Sequence, residues 1–345
     1  MDDSFSLILV AGGLTLGLIF GAVVQRSRLC MLAAVSNHAL MGDRRQIDAY
    51  LVAVAVAILG TQAIESGGWV VIAESSYRSA RIDWLGTSLG GLIFGFGTTL
   101  AGGCAARILV GAAEGSGGAL LALLTFALAA TATQFGALEP VRVWALSATA
   151  IDAPTGSSSL AALLGIPPWA LAASVAGVCL WLVFVPTRGD RSLGLLAAGA
   201  TVGALVVVGW WITGYLAQDE FSTVRPASLT FSGPVARASE YLMAGRGSGS
   251  GFEVSLAAGI LGGAWLSSLL SRRYRWVPPD SGHVLHTLSG GTLMGMGAIL
   301  AGGCNIGQGL SGMSTLSLGS LLAVMSIVLG MRLGIGWLER TERVG

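Results

Sequence analysis

Two of the four cysteines in this 345-residue chain end the same pentapeptide. It occurs as Leu100-Ala101-Gly102-Gly103-Cys104 and again as Leu300-Ala301-Gly302-Gly303-Cys304. A thiol is a weak hydrogen-bond donor on a soft, polarisable sulfur. Two of them at one site suit a ligand that itself presents sulfur or selenium. A glycine pair breaks a helix and lets backbone approach closely, and amides freed at a broken tip can point at an anion. Cys104 and Cys304 are therefore expected to contact a small anion, with the amides of Gly102, Gly103, Gly302 and Gly303 in support. The polar neighbours differ: Arg107 and Glu114 follow the first copy, Asn305, Gln308 and Ser311 the second. Arg107 would offset anionic charge or pair with Glu114. Cys30, in Gln25-Arg26-Ser27-Arg28-Leu29-Cys30, puts a third thiol beside two cations, in a position to line an exit. Cys179 reads as a small core residue. No Cys-x-x-Cys or Cys/His spacing suits a metal, and no GxxxxGK[ST] phosphate loop is present. Neither a metal, a cofactor nor bound ATP is expected.

The elements that position these thiols belong in a bilayer. The chain is 53% hydrophobic and 11% charged, against about 25% charged in soluble domains. Its net charge of +1 argues against nucleic acid as a partner. Apolar runs at about 6–24, 47–64, 84–100, 117–137, 168–186, 192–214, 252–271, 284–300 and 317–338 predict nine transmembrane helices. The first is read as a retained span, because Asp2 and Asp3 replace the basic start of a signal peptide. Pieces at about 28–40, 101–116, 141–163, 223–246 and 301–315 are too short to cross, and predict re-entrant helices buried in protein.

Arginines set the expected orientation. Arg26, Arg28, Arg44 and Arg45, then Arg188 and Arg191, then Arg272, Arg273 and Arg275, then Arg340 and Arg343, all fall on one side of nine spans. That side should be cytoplasmic, with the N-terminus periplasmic and the C-terminus inside. Arg225, Arg237 and Arg246 oppose this from a long loop that also holds Asp219, Glu220 and Glu240. The span before Cys104 then enters from outside and the span before Cys304 from inside. The expected architecture is one all-α membrane domain of two inverted pseudosymmetric halves, 6–137 and 192–338, joined by a connector, 138–191, that holds the fifth span. Inverted repeats with broken helices meeting near the midplane suit a transporter. The same offset gives Cys30 a thiol-free counterpart near Thr230, within a segment that offers Ser228, Thr230 and Ser232.

The two Ala-Gly-Gly-Cys segments, Gln25-Arg26-Ser27-Arg28-Leu29-Cys30 and Ser228-Leu229-Thr230-Phe231-Ser232-Gly233-Pro234 together resemble the YeeE/YedE family of bacterial inner-membrane proteins. The resemblance implies an all-helical bundle whose short helices meet at a central constriction. It implies uptake of thiosulfate, or in some relatives of selenium compounds, with Cys104 and Cys304 as constriction cysteines that hydrogen-bond to the sulfur. It also implies a small cytoplasmic sulfurtransferase of the TusA type as acceptor, for which Arg272, Arg273 and Arg275 could form part of a docking face. Some members carry a further cysteine in the second half; this chain has none between Cys179 and Cys304. A selenium-containing anion, and a membrane thiol enzyme using a Cys104/Cys304 redox or persulfide couple, stand as the alternatives to a sulfur-anion permease.

Overall fold

The computed structural model describes residues 3–147, 149–153, 156–184, 192–217, 225–244 and 251–344. Asp2, Arg188, Arg191, Asp219, Glu220 and Arg246 lie outside them. The helices are α1 (Asp3–Ser27), α2 (Met31–Met41), α3 (Arg45–Ser66), α4 (Trp84–Leu100), α5 (Ala105–Ala113), α6 (Gly117–Gln134), α7 (Glu139–Ser147), α8 (Leu160–Leu164), α9 (Pro168–Phe184), α10 (Leu193–Trp211), α11 (Ser232–Ala244), α12 (Gly251–Leu270), α13 (Val284–Leu300) and α14 (Leu318–Val344). Wider π-helical turns extend α10 over Ile212–Leu216 and follow Cys304 over Gly307–Gly312. The only strands among the described residues are β1 (Arg81–Ile82) and β2 (Ile151–Asp152), paired antiparallel.

This is an all-α, multi-pass membrane protein. Among the described residues, seven helical stretches are long and apolar enough to cross a bilayer: Leu7–Met41, Arg45–Ser66, Trp84–Ala113, Gly117–Gln134, Leu193–Leu216, Gly251–Leu270 and Leu318–Thr341. The α9 and α13 helices stand where two further spans were expected, with 17 described residues each, against the roughly 20 of a full span. Four of the five short pieces are short helices, α2, α5, α11 and the Gly307–Gly312 turn. The fifth, 141–163, holds part of α7, β2 and α8.

Helix contacts are reciprocal. The α1 helix packs on α12 and α10 on α3; α4 packs on α14 and α13 on α6. At the centre α4 lies antiparallel to α13, and glycine sets how closely they approach. A Cβ at Gly90 would overlap the backbone nitrogen of Ala301, and one at Gly290 that of Ala101. Small residues permit such backbone contact in membranes, where packing rather than the hydrophobic effect drives helix association.

Two polar clusters mark the ends of the bundle. At one end Arg275 N–H donates to Glu114 O at 3.2 Å and Val277 N–H to Gly115 O at 2.9 Å. This ties the turn after α12 to the turn after α5. At the other end Arg78 pairs with Glu65 and donates to Thr315 O at 2.9 Å, and Ser158 Oγ donates to Tyr77 O at 3.1 Å.

Candidate functional site: a buried thiol pair

Each Gly-Gly pair closes the helix before it. Gly102 N–H donates to Thr99 O at 3.3 Å and Gly103 N–H to Thr98 O at 3.1 Å; Gly302 and Gly303 do the same to Ile299 O at 3.2 Å and Ala298 O at 2.8 Å. This is the closure a left-handed residue gives a helix C-terminus, with φ at +73° in Gly102 and +68° in Gly302. The expectation that these four amides are freed for an anion is thereby corrected, because all four are occupied by carbonyls of the helix they end.

The next residue in each copy starts a new helical turn instead. Cys104 precedes α5 and its carbonyl accepts from Ile108 N–H at 2.9 Å; the Cys304 carbonyl accepts from Gln308 N–H at 2.8 Å; Cys30 precedes α2 and its carbonyl accepts from Ala34 N–H at 2.9 Å. All three thiols therefore sit at the N-terminal end of a short helix. There the first amides lack intrahelical acceptors and the dipole favours negative charge. Neither the Cys30 nor the Cys104 sulfur caps its own helix.

The structure brings two of these thiols into contact: Cys30 Sγ lies 3.5 Å from Cys104 Sγ, and both residues are buried. They line a cavity of about 10 Å³ together with Tyr50, Asn305, Ile306 and apolar residues of α1 and α10. Cys304 is fully buried, with the backbone of Phe231 and Ser232 against its sulfur. Phe231 stands before α11 as Cys30 stands before α2, its carbonyl accepting from Val235 N–H at 3.0 Å. Phe231, adjacent to Thr230, thus stands at the start of its helix as Cys30 does, without a thiol.

Beyond Cys304, toward the Arg78 end, a cavity of about 370 Å³ opens. It is lined by Tyr77, Ser228, Thr230, Ser232, Gly302 and Gln308, with Arg81, Arg142 and Arg237 around it. Both ends of the Gln308 carboxamide are engaged: Nε2 donates to Ala301 O at 2.8 Å, and Oε1 accepts from Ser320 Oγ at 2.7 Å. On the opposite side of the thiol pair, Glu114 collects Arg107 at 3.1 Å, Arg28 at 3.5 Å and Gln25 Nε2 at 3.2 Å. Arg107 thus pairs with Glu114, one of the two expected roles, while its buried Nη1 has no partner.

Sequence reasoning missed Tyr50. Its hydroxyl donates to Asn305 O at 2.6 Å and so links α3 to the backbone beside Cys304. The signal was a tyrosine near the start of an apolar span, indistinguishable by composition from an interfacial anchor.

Residues 26–333 match the model of a family described as sulphur transport. The chain is 28% identical over 347 residues to "Thiosulfate transporter TsuA" of Escherichia coli (strain K12), covering 95% of this chain and 93% of that protein. It is 29% identical over 331 residues to "Thiosulfate transporter TsuA" of Spirochaeta thermophila, covering 92% and 96%. A shorter match, 30% over 101 residues, is to "Probable transporter YedE" of Escherichia coli (strain K12), covering 29% of this chain and 23% of that protein.

Proposed function

This chain belongs to the sulphur-transport family, and on that premise we propose that it is an inner-membrane permease for thiosulfate or a similar sulfur-containing anion. One observation carries the reading. The 3.5 Å contact of Cys30 with Cys104 lies between a roomy polar cavity lined by Arg81, Arg142 and Arg237 together with Asp83 and Glu253 and the Arg28–Arg107–Glu114 cluster. An anion leaving the large cavity passes Cys304, then the thiol pair, then two guanidinium groups. Sulfur meets sulfur at the narrowest point, and the ends of three short helices contribute favourable potential there. The reciprocal contacts of α1–α12 with α10–α3, and of α4–α14 with α13–α6, support two inverted halves, 6–137 and 192–338. The arginine bias supports a periplasmic N-terminus and large cavity, and a cytoplasmic C-terminus and exit. Arg272, Arg273 and Arg275, the last donating its N–H to Glu114 O at 3.2 Å, would offer a TusA-type sulfurtransferase part of a basic docking face.

The test is growth on thiosulfate as sole sulfur source in a bacterium stripped of its other uptake routes. Expression of this chain should restore growth, and Cys304→Ala should not. Equal growth of parent and Cys304→Ala sinks the site assignment; no growth with either, at normal expression, sinks the substrate.

A further inference from the structure

Asn305 is 1% exposed, yet among the described residues neither its Oδ1 nor its Nδ2 has a hydrogen-bond partner. A buried carboxamide with both ends unpaired is costly and uncommon in folded proteins. Its backbone, in contrast, is firmly held. The Asn305 carbonyl accepts from Tyr50 Oη at 2.6 Å, and a Cβ at Gly309 would overlap that same hydroxyl oxygen. Asn305 lines the small cavity with Tyr50, Cys30 and Cys104.

The first repeat shows what the fold itself requires at this position. Ala105 follows Cys104 as Asn305 follows Cys304, and both cysteine carbonyls start a helical turn in the same way, at 2.9 and 2.8 Å. An alanine therefore serves this turn, and the amide at 305 adds cost without adding to the fold. A polar group that the fold does not use, lining the small cavity beside the thiol pair, points to a ligand.

We propose that Asn305 is the specificity-determining residue of the constriction: its carboxamide donates to the oxygen end of a sulfur oxyanion whose soft sulfur end meets the Cys30 and Cys104 thiols. This deepens the permease reading and rests on it. Thiosulfate has both ends. Sulfate lacks the soft sulfur, and hydrosulfide lacks the oxygens. A neutral amide reads the oxygens without holding the anion as tightly as a guanidinium does, which suits a site the anion must also leave.

The full-length protein is reconstituted into liposomes and radiolabelled thiosulfate uptake is followed, with thermal stability measured on the same preparations. Asn305→Ala should raise the half-saturating thiosulfate concentration about tenfold, the effect of one lost hydrogen bond to an anion. Its midpoint of thermal unfolding should be equal or higher, since an unpaired buried group is gone. Unlabelled hydrosulfide should compete about tenfold better against thiosulfate in this variant than in the parent. Asn305→Asp, of the same size but anionic, should cut uptake about a hundredfold by like-charge repulsion. An Asn305→Ala variant that transports within about twofold of the parent overturns the proposal. So does one whose thermal stability falls together with uptake, which marks a structural role, and so does an Asn305→Asp variant that transports like the parent. A parent protein that moves no thiosulfate at all overturns the permease reading instead, whatever occupies position 305.

Discussion

Cys30 and Cys104, 74 positions apart in the chain, meet through their sulfurs at 3.5 Å. Arg28, with φ at +57°, turns the chain sharply between α1 and Cys30, and the Gly102 turn does the same between α4 and Cys104. The contact therefore depends on two breaks between helices, at Arg28 and at Gly102, rather than on two helix faces.

In the proposed permease, removing either sulfur should break the passage at the thiol pair. Cys30→Ala and Cys104→Ala are each expected to lower thiosulfate uptake at least about tenfold. Cys179→Ala, on α9 and away from both cavities, should transport like the parent. Radiolabelled uptake into liposomes gives the comparison.

The same contact predicts a selective oxidation. A disulfide needs the sulfurs at about 2.05 Å, so the pair must close by roughly 1.5 Å. Hydrogen peroxide would convert the two thiols to one disulfide and two molecules of water. Thiol counting under denaturing conditions should then fall from four to two, with dithiothreitol restoring both thiols and uptake. In Cys30→Ser the three remaining thiols should show no such paired loss. A parent count that stays at four under peroxide would contradict the observed proximity.

Tyr50 and Gly309 should behave as one unit. Gly309→Ala pushes a methyl group into the Tyr50 hydroxyl and is expected to destabilise the protein by about 1–3 kcal/mol, the usual cost of overpacking. Tyr50→Phe removes the offending oxygen, so Gly309→Ala should cost much less in that background. A double-mutant cycle on thermal stability measures the coupling, and simple additivity would deny the contact.

The central helix crossing should be equally intolerant of bulk. Gly90→Ala and Gly290→Ala each place a methyl group on backbone that cannot yield as a side chain can. Both variants should yield little folded protein in size-exclusion chromatography. Gly336→Ala on α14, where a Cβ meets nothing within 4 Å, should behave like the parent.

The apolar runs were readable one by one, because span length and hydropathy are local properties of the chain. The paired Gly-Gly-Cys segments were readable for the same reason: a left-handed helix end requires glycine wherever it occurs. What the glycine amides do was not readable, since the broken helix reclaims them through carbonyls five and three residues back. The partner of Cys104 was not readable either. Cys304 shares its motif, whereas Cys30 reaches it only through the fold of α2 against α3. Asn305 stood out as a polar residue beside a thiol, but its lack of partners emerges only once every neighbouring donor and acceptor has been placed.

The smallness of the cavity at the thiol pair has a consequence for the energetics of the whole cell. A space of about 10 Å³ is near the minimum that admits a single water molecule. It cannot carry an unbroken file of hydrogen-bonded waters along which protons would hop. Through the proposed permease, a cell would import an anion without short-circuiting its proton-motive force, the anion shedding its hydration shell and displacing side chains as it passes.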